Sequence, residues 1–132
     1  MELTLGNYMN MTDEDIKKCF KGCEGFVFAA GVDERMPAQK GESIYRMFQR
    51  YNVIPLERML RIAKESGVKK VVILGSYFSH FAKEWKQLNL TKFHPYIRSR
   101  LEQEIMATSF AEEGVMDVAI LELPYIFGAQ DR

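Results

Sequence analysis

The sequence predicts an α/β fold, a mostly parallel sheet of about four strands layered between helices, and three observations carry that prediction. First, Phe26-Val27-Phe28-Ala29-Ala30, Val68-Lys69-Lys70-Val71-Val72-Ile73-Leu74 and Val118-Ala119-Ile120-Leu121-Glu122-Leu123 are largely apolar runs of strand length. Such runs suit strands buried on both faces of a parallel sheet. Second, the segments between them repeat apolar residues at the helical period. Third, the runs close on Gly31, on Gly75-Ser76 and before Pro124, residues that break strands and favour turns. A chain of 132 residues, 47% of them apolar, is enough for one domain with its own core.

In chain order, Glu2-Leu3-Thr4-Leu5 alternates polar and apolar ahead of Gly6-Asn7 and reads as a short first strand. Thr12 followed by Asp13, Glu14 and Asp15 is a helix start, a hydroxyl cap with acids at the positive end of the dipole. Ile16, Cys19 and Phe20 form its inward stripe, and Gly22 or Gly25 ends it. Cys19 and Cys23 are spaced wrongly for a redox pair and are too few for structural zinc, so both read as buried or half-buried thiols. After the strand at 26–30 comes a charged loop, 32–41. From Ser43, the stripe of Ile44, Met47, Phe48 and Tyr51 is continued by Leu56, Met59, Leu60 and Ala63, with Pro55 expected to kink or restart the helix. Gly67 fits the residue after a helix end. Residues 77–93 are aromatic-rich and expected to be irregular, with Phe78, Phe81, Trp85 and Phe93 forming the loop's own small core. Pro95 opens a last helix with Ile97, Leu101 and Ile105 toward the core, and Gly114 stops it.

Eighteen basic residues balance eighteen acidic ones, so net charge gives no footing to a nucleic-acid or anionic-membrane partner. No apolar run nears the roughly 20 residues of a membrane span, and the first residues lack the features of a signal peptide. A cytoplasmic location is therefore expected.

In a parallel sheet, ligands sit in the crevice beyond the carboxyl ends of the strands. Here those ends are Asn7-Tyr8, Ala29-Ala30-Gly31, Ser76-Tyr77 and Pro124-Tyr125, which gathers small and hydroxyl residues at one edge. Tyr96 and Arg100 stand four apart on the last helix and so share a face. A fixed cation beside a phenol stabilises the phenolate, which would suit Tyr96 to acid/base work. The competing reading is an ordinary surface pair on an amphipathic helix. His80 is expected to be packed or solvated rather than turned to a substrate.

Six stretches taken together carry a resemblance. They are Gly6-Asn7 after a strand, the run 22–31, Asn52-Val53 within a helix, the run 71–76, Tyr96-x-x-x-Arg100, and Leu123-Pro124-Tyr125-Ile126-Phe127-Gly128. In order and spacing they resemble the extended short-chain dehydrogenase/reductases, the NAD-dependent epimerase/dehydratase family, over nearly the whole chain. The resemblance implies that residues 1–132 form a single, partial, Rossmann-like NAD(P)-binding domain. The parent enzyme would move a hydride between NAD or NADP and a sugar-nucleotide-like or small hydroxy or keto substrate. It implies Tyr96 as general acid/base, Arg100 as the basic residue that holds the nicotinamide ribose, and Ser76 as hydrogen-bond partner of the reacting oxygen. Ala29, Ala30 and Gly31 would lie under the cofactor, Pro124 and Tyr125 near the nicotinamide, and Asn7 and Tyr8 beside the adenine.

The chain departs from the family pattern at three points. Arg100 stands where Lys is usual, keeping the charge but not the ammonium's capacity to release a proton. Asn7 stands where Asp is usual. The Gly-rich turn that binds the pyrophosphate, and the first two strands with it, would precede residue 1, so this chain alone is expected to bind dinucleotide weakly or not at all. Their absence leaves a strand edge to be covered in one of three ways. The chain is an internal piece of a longer protein, or its first strand slides in beside 26–30, or two copies pair as a homo-oligomer. Two other functional readings stand beside the enzyme: a non-catalytic family member that binds a dinucleotide or a protein partner, and an unrelated doubly wound domain.

Overall fold

The computed structural model describes residues 5–124. Within them lies a sheet of three strands, β1 (Gly25–Phe28), β2 (Lys70–Leu74) and β3 (Asp117–Leu121), in the order β1-β2-β3 and parallel throughout. The register pairs Phe28 with Ile73, and Ile73 with Ile120. Helices α1 (Asp13–Phe20), α2 (Ile44–Phe48), α3 (Ile54–Glu65), α4 (Tyr77–Glu84), α5 (Leu90–Phe93) and α6 (Pro95–Thr108) complete an incomplete Rossmann-like α/β fold, the class that the sequence predicts. Of the expected first strand, residues 2–4 lie outside the described residues, and Leu5 is 87% exposed and in no strand. No second neighbour of β1 occurs among the described residues.

The local signals act as expected at most helix ends. Thr12 Oγ1 accepts from the Asp15 backbone N–H at 3.2 Å, and Ser43 Oγ accepts from that of Arg46 at 3.2 Å. Gly67 takes the left-handed conformation that closes α3, with φ +82°. Pro55 stands where the helix restarts, at the first turn of α3. A π-helical turn, Gln49–Val53, joins α2 to α3, and Pro55 falls in the first turn of α3, where its missing N–H is tolerated.

Burial along the strands corrects one expectation. Phe28, Val71 and Ile73 are buried against Ile16, Leu56 and Leu60 of α1 and α3, each such side chain contributing about 1.5–3 kcal/mol. The alternate residues are not covered: Val27 is 62% exposed and Leu121 45%. The apolar runs therefore mark strands with one face packed, and the second helical layer has no counterpart among the described residues.

Three further expectations change. Residues 77–93 are largely helical: Ser76 caps α4, and at spacings of four Tyr77 meets Phe81 edge-on and Phe81 stacks on Trp85, with ring centroids 5.3 and 4.4 Å apart. Phe93 stays exposed, outside that aromatic group. On α6 the buried side is Ile97, Arg100, Gln103 and Ala107, whereas Ile105 is 63% exposed. A step of four residues overshoots a helical turn by about 40°, so the row Ile97, Leu101, Ile105 winds off the core. Cys19 and Cys23 are both exposed free thiols, because Ile16 and Phe20 fill the inward stripe of α1.

Candidate functional site

A pocket of about 620 Å³ opens at the carboxyl ends of the three strands. Its walls come from the residues after β1 (Ala29 to Arg35), from Leu74 to Phe78 at the end of β2, from Leu123 and Pro124 after β3, and from Tyr96 and Arg100 on α6. Ala29, Ala30, Gly31, Ser76, Tyr96, Arg100 and Pro124, drawn together from sequence alone, all line it.

The wall after β1 is fixed by Asn52. Its Oδ1 accepts from the Val32 N–H at 2.8 Å and its Nδ2 donates to the Val32 carbonyl at 3.0 Å. Asn52 is fully buried in the π-helical turn, and its own backbone carbonyl accepts from Gln103 Nε2 of α6 at 2.6 Å. These bonds satisfy polar groups that would be costly to bury unpaired. Gly31 is tightly hemmed: a Cβ there would stand 3.0 Å from Arg100 Nη1 and 3.4 Å from Asn52 Oδ1.

At the end of β2, Gly75 passes so close to β3 that a Cβ would lie 2.8 Å from Ile120 Cγ2. The Gly75 N–H donates to the Leu121 carbonyl at 2.8 Å and the Tyr77 N–H to that of Leu123 at 3.1 Å, so pairing continues to the pocket rim. Ser76 is buried, and its Oγ accepts from the Phe78 N–H at 3.3 Å. That bond leaves its own hydroxyl proton for another acceptor.

On α6, the Tyr96 ring meets Phe48 and Phe78 edge-on, with centroids 5.4 and 6.2 Å away. No described residue takes its hydroxyl in a hydrogen bond. Arg100 is 7% exposed. Its Nη2 donates to the Leu74 carbonyl at 2.7 Å, while its buried Nε has no acceptor among the described residues. Burial pushes the guanidinium below its ordinary pKa, with neighbouring Tyr96 working the other way.

The other predicted residues sit elsewhere. Asn7 Oδ1 accepts from the Met9 N–H at 3.0 Å in the turn before α1. Tyr8 packs edge-on to Phe28 and lines a separate cavity of about 210 Å³ with Arg58 and Met59. Tyr125 lies outside the described residues. His80 is half exposed, with Nδ1 3.5 Å from Glu122, and is not a pocket wall. Asn52 and Gln103 are residues whose part the sequence reading missed. A signal was present, since Asn52 interrupts an apolar stretch where an amide is tolerated only if paired. No cluster of three metal-binding side chains occurs among the described residues, and no described helix is long and apolar enough to cross a membrane.

The pocket gathers small residues, a tyrosine and a buried cation at the carboxyl ends of the strands, the place where parallel α/β sheets hold ligands. A sequence profile of the NAD dependent epimerase/dehydratase family matches residues 6–132. The chain belongs to that family. Among curated proteins none matches it. Among solved structures it is similar to a short-chain dehydrogenase/reductase superfamily protein from Agrobacterium tumefaciens with bound NAD, at 17% identity and a TM-score of 0.62, covering 87% of this chain and 35% of that one. It is also similar to MoeE5 in complex with UDP-glucose and NAD (16% identity, TM-score 0.61, 89% and 38% covered). A third is the Citrobacter sp. triphenylmethane reductase complexed with NADP(H) (15%, TM-score 0.53, 87% and 30%). The chain thus spans well under half the length of each of these structures.

Proposed function

We propose that this chain is part of an NAD(P)-dependent epimerase, dehydratase or reductase, acting on a sugar-nucleotide-like or small hydroxy or keto substrate. The observation that carries this reading is the convergence of Ser76, Tyr96 and Arg100, from three parts of the sequence, on one strand-end pocket. The residues fit the nicotinamide half of a dinucleotide: Ala29, Ala30 and Gly31 leave room for a flat group, and Gly31 bears no Cβ where Arg100 lies close. Pro124, with Tyr125 beyond it, would flank the nicotinamide, and Asn7 and Tyr8 the adenine. When bound, the dinucleotide supplies the hydride-accepting ring.

The protein's own part is proton handling and orientation. Tyr96, held between Phe48 and Phe78, presents a hydroxyl free to exchange a proton with a substrate oxygen. Ser76 donates its remaining proton to that oxygen and orients it. Arg100 supplies positive charge from below, where desolvation strengthens its field. In the protein that carries this chain, Tyr96→Phe lowers turnover by about 10²–10⁴-fold, the range typical of a general acid/base. A loss below about tenfold contradicts the role.

A second reading rests on Arg100 itself, which is tied to Leu74 where a lysine would be free to relay a proton. In a non-catalytic member that only binds a dinucleotide or protein partner, Arg100→Lys creates no turnover. A rise in rate on that substitution favours the enzyme.

A further inference from the structure

We propose that Lys83 is a positioning residue for the pocket: its ammonium bonds Glu104 of α6 and Glu122 after β3 together, and so sets Tyr96 against Ser76. This rests on the pocket being the site of reaction, as read above. Lys83 Nζ donates to Glu104 Oε1 and to Glu122 Oε1, each at 2.5 Å. Hydrogen bonds between charged partners are the strong ones. Each element joined in this way carries a pocket wall. Lys83 lies on α4, which Ser76 caps. Glu104 is about one turn beyond Arg100 and about two beyond Tyr96 on α6. Glu122 immediately precedes Leu123 and Pro124.

Helical geometry aims the lysine inward. Ser76, Ser79 and Lys83 recur at steps of three and four, so they share a side of α4. Ser76 and Ser79 on that side are buried. The Glu104 and Glu122 side chains are only 18% and 25% exposed. Carboxylates gathered in so little water repel one another unless a cation stands between them. Burial opposes the Lys83 charge, but its bonds to the two carboxylates prevail and hold its pKa above the ordinary lysine value. The same segment after β3 accepts the Tyr77 N–H at the Leu123 carbonyl, at 3.1 Å. Helix α4 is thus fastened to it near both ends, and α6 is fastened to both through Glu104. Without the ammonium, α6 and α4 part at this junction, which moves the Tyr96 hydroxyl relative to Ser76.

The test is Lys83→Met in the protein that carries the chain, read by NMR. Tyr96 supplies the reporter, because its ring meets Phe78 of α4 and Phe48 of α2, with centroids 6.2 and 5.4 Å away. In Lys83→Met the Tyr96–Phe78 cross-relaxation is expected to be lost while the Tyr96–Phe48 signal stays. Lys83→Arg, which keeps the charge, is expected to restore it. Amide exchange at Tyr77 is expected to quicken at least about tenfold, with Leu60 and Ile62, buried in α3, unchanged. In the turnover assay that tests Tyr96→Phe, kcat is expected to fall about 10–100-fold at an unchanged KM for NAD(P). Equal quickening at Leu60, Ile62 and Tyr77 makes Lys83 a general stabiliser and overturns the proposal. So do an intact Tyr96–Phe78 signal in Lys83→Met, a signal that Lys83→Arg fails to restore, and an unchanged kcat. Should Lys83→Met fail to fold, Lys83→Met combined with Glu122→Gln, which removes the repulsion, is read against the same outcomes. The NMR signals need no dinucleotide, so failure of the enzyme reading shows separately, as absent wild-type turnover or absent NADH binding.

Discussion

Arg58 and Arg100 sit in two regions built on opposite terms. In the seam between α1 and α3, Arg58 uses every nitrogen: Nε donates to Asp13 at 2.7 Å, Nη2 to the Met11 carbonyl at 2.7 Å, and Nη1 to the Tyr8 carbonyl at 3.3 Å. Arg61 shares the same carboxylate at 2.7 Å. At the pocket, Arg100 is more deeply buried, yet has a single backbone acceptor among the described residues. The seam is a closed set of bonds that holds a helix and the entering chain in place. Among the described residues the Arg100 charge meets no carboxylate and the Tyr96 hydroxyl and Ser76 proton meet no acceptor, in contrast with the closed joint at Arg58.

Substitutions can break or sharpen that contrast. The largest stability effect is expected at Asn52, where the two regions share the logic of full pairing. Asn52→Leu leaves the Val32 N–H and carbonyl unpaired and is expected to lower stability by about 2–4 kcal/mol. Urea unfolding measures it, and a loss below about 0.5 kcal/mol would mean that water or backbone replaces the amide easily. Next, Arg58→Met is expected to cost about 1–3 kcal/mol, whereas Arg100→Met changes stability by less than about 1 kcal/mol because it removes an uncompensated charge. Equal losses at both positions would erase the distinction.

The smallest effect is a pH dependence of the seam. The hydrogen bond from Arg61, followed by that from Arg58, holds the Asp13 carboxyl below the ordinary carboxylate value. A depressed carboxylate contributes stability that is present in full above its unfolded pKa and is lost as the pH falls through the folded one. The wild-type urea midpoint should therefore drop more steeply below about pH 4 than that of Asp13→Asn. Parallel curves would show that Asp13 is not part of the acid response.

The sequence revealed the strands well because they carry the plainest signals. Val71 to Leu74 and Val118 to Leu121 can hardly be anything else, and their ends place Gly31, Ser76 and Pro124 on one edge without further information. It misled where one physical cause mimics another. An apolar run marks a strand but not how many of its faces are covered, so Val27 and Leu121 looked buried. Tyr77, Phe81 and Trp85 looked like a loop because aromatic residues have modest helix propensity, although their spacing of four is helical. The buried side of α6 is partly polar, with Arg100 and Gln103 inward, so no hydrophobic stripe could show it. The closeness of Tyr96 and Arg100 was legible from spacing. That no described carboxylate meets Arg100 was not, since it depends on how three separate segments are placed.

The most direct measurement is a titration of NADH into the protein that carries this chain, followed residue by residue at Gly31, Ser76 and Tyr96, with Cys19 and Cys23, which do not line the pocket, as references. The account predicts saturable changes at the first three and none at the references. Saturable binding that leaves Gly31, Ser76 and Tyr96 unmoved would contradict it.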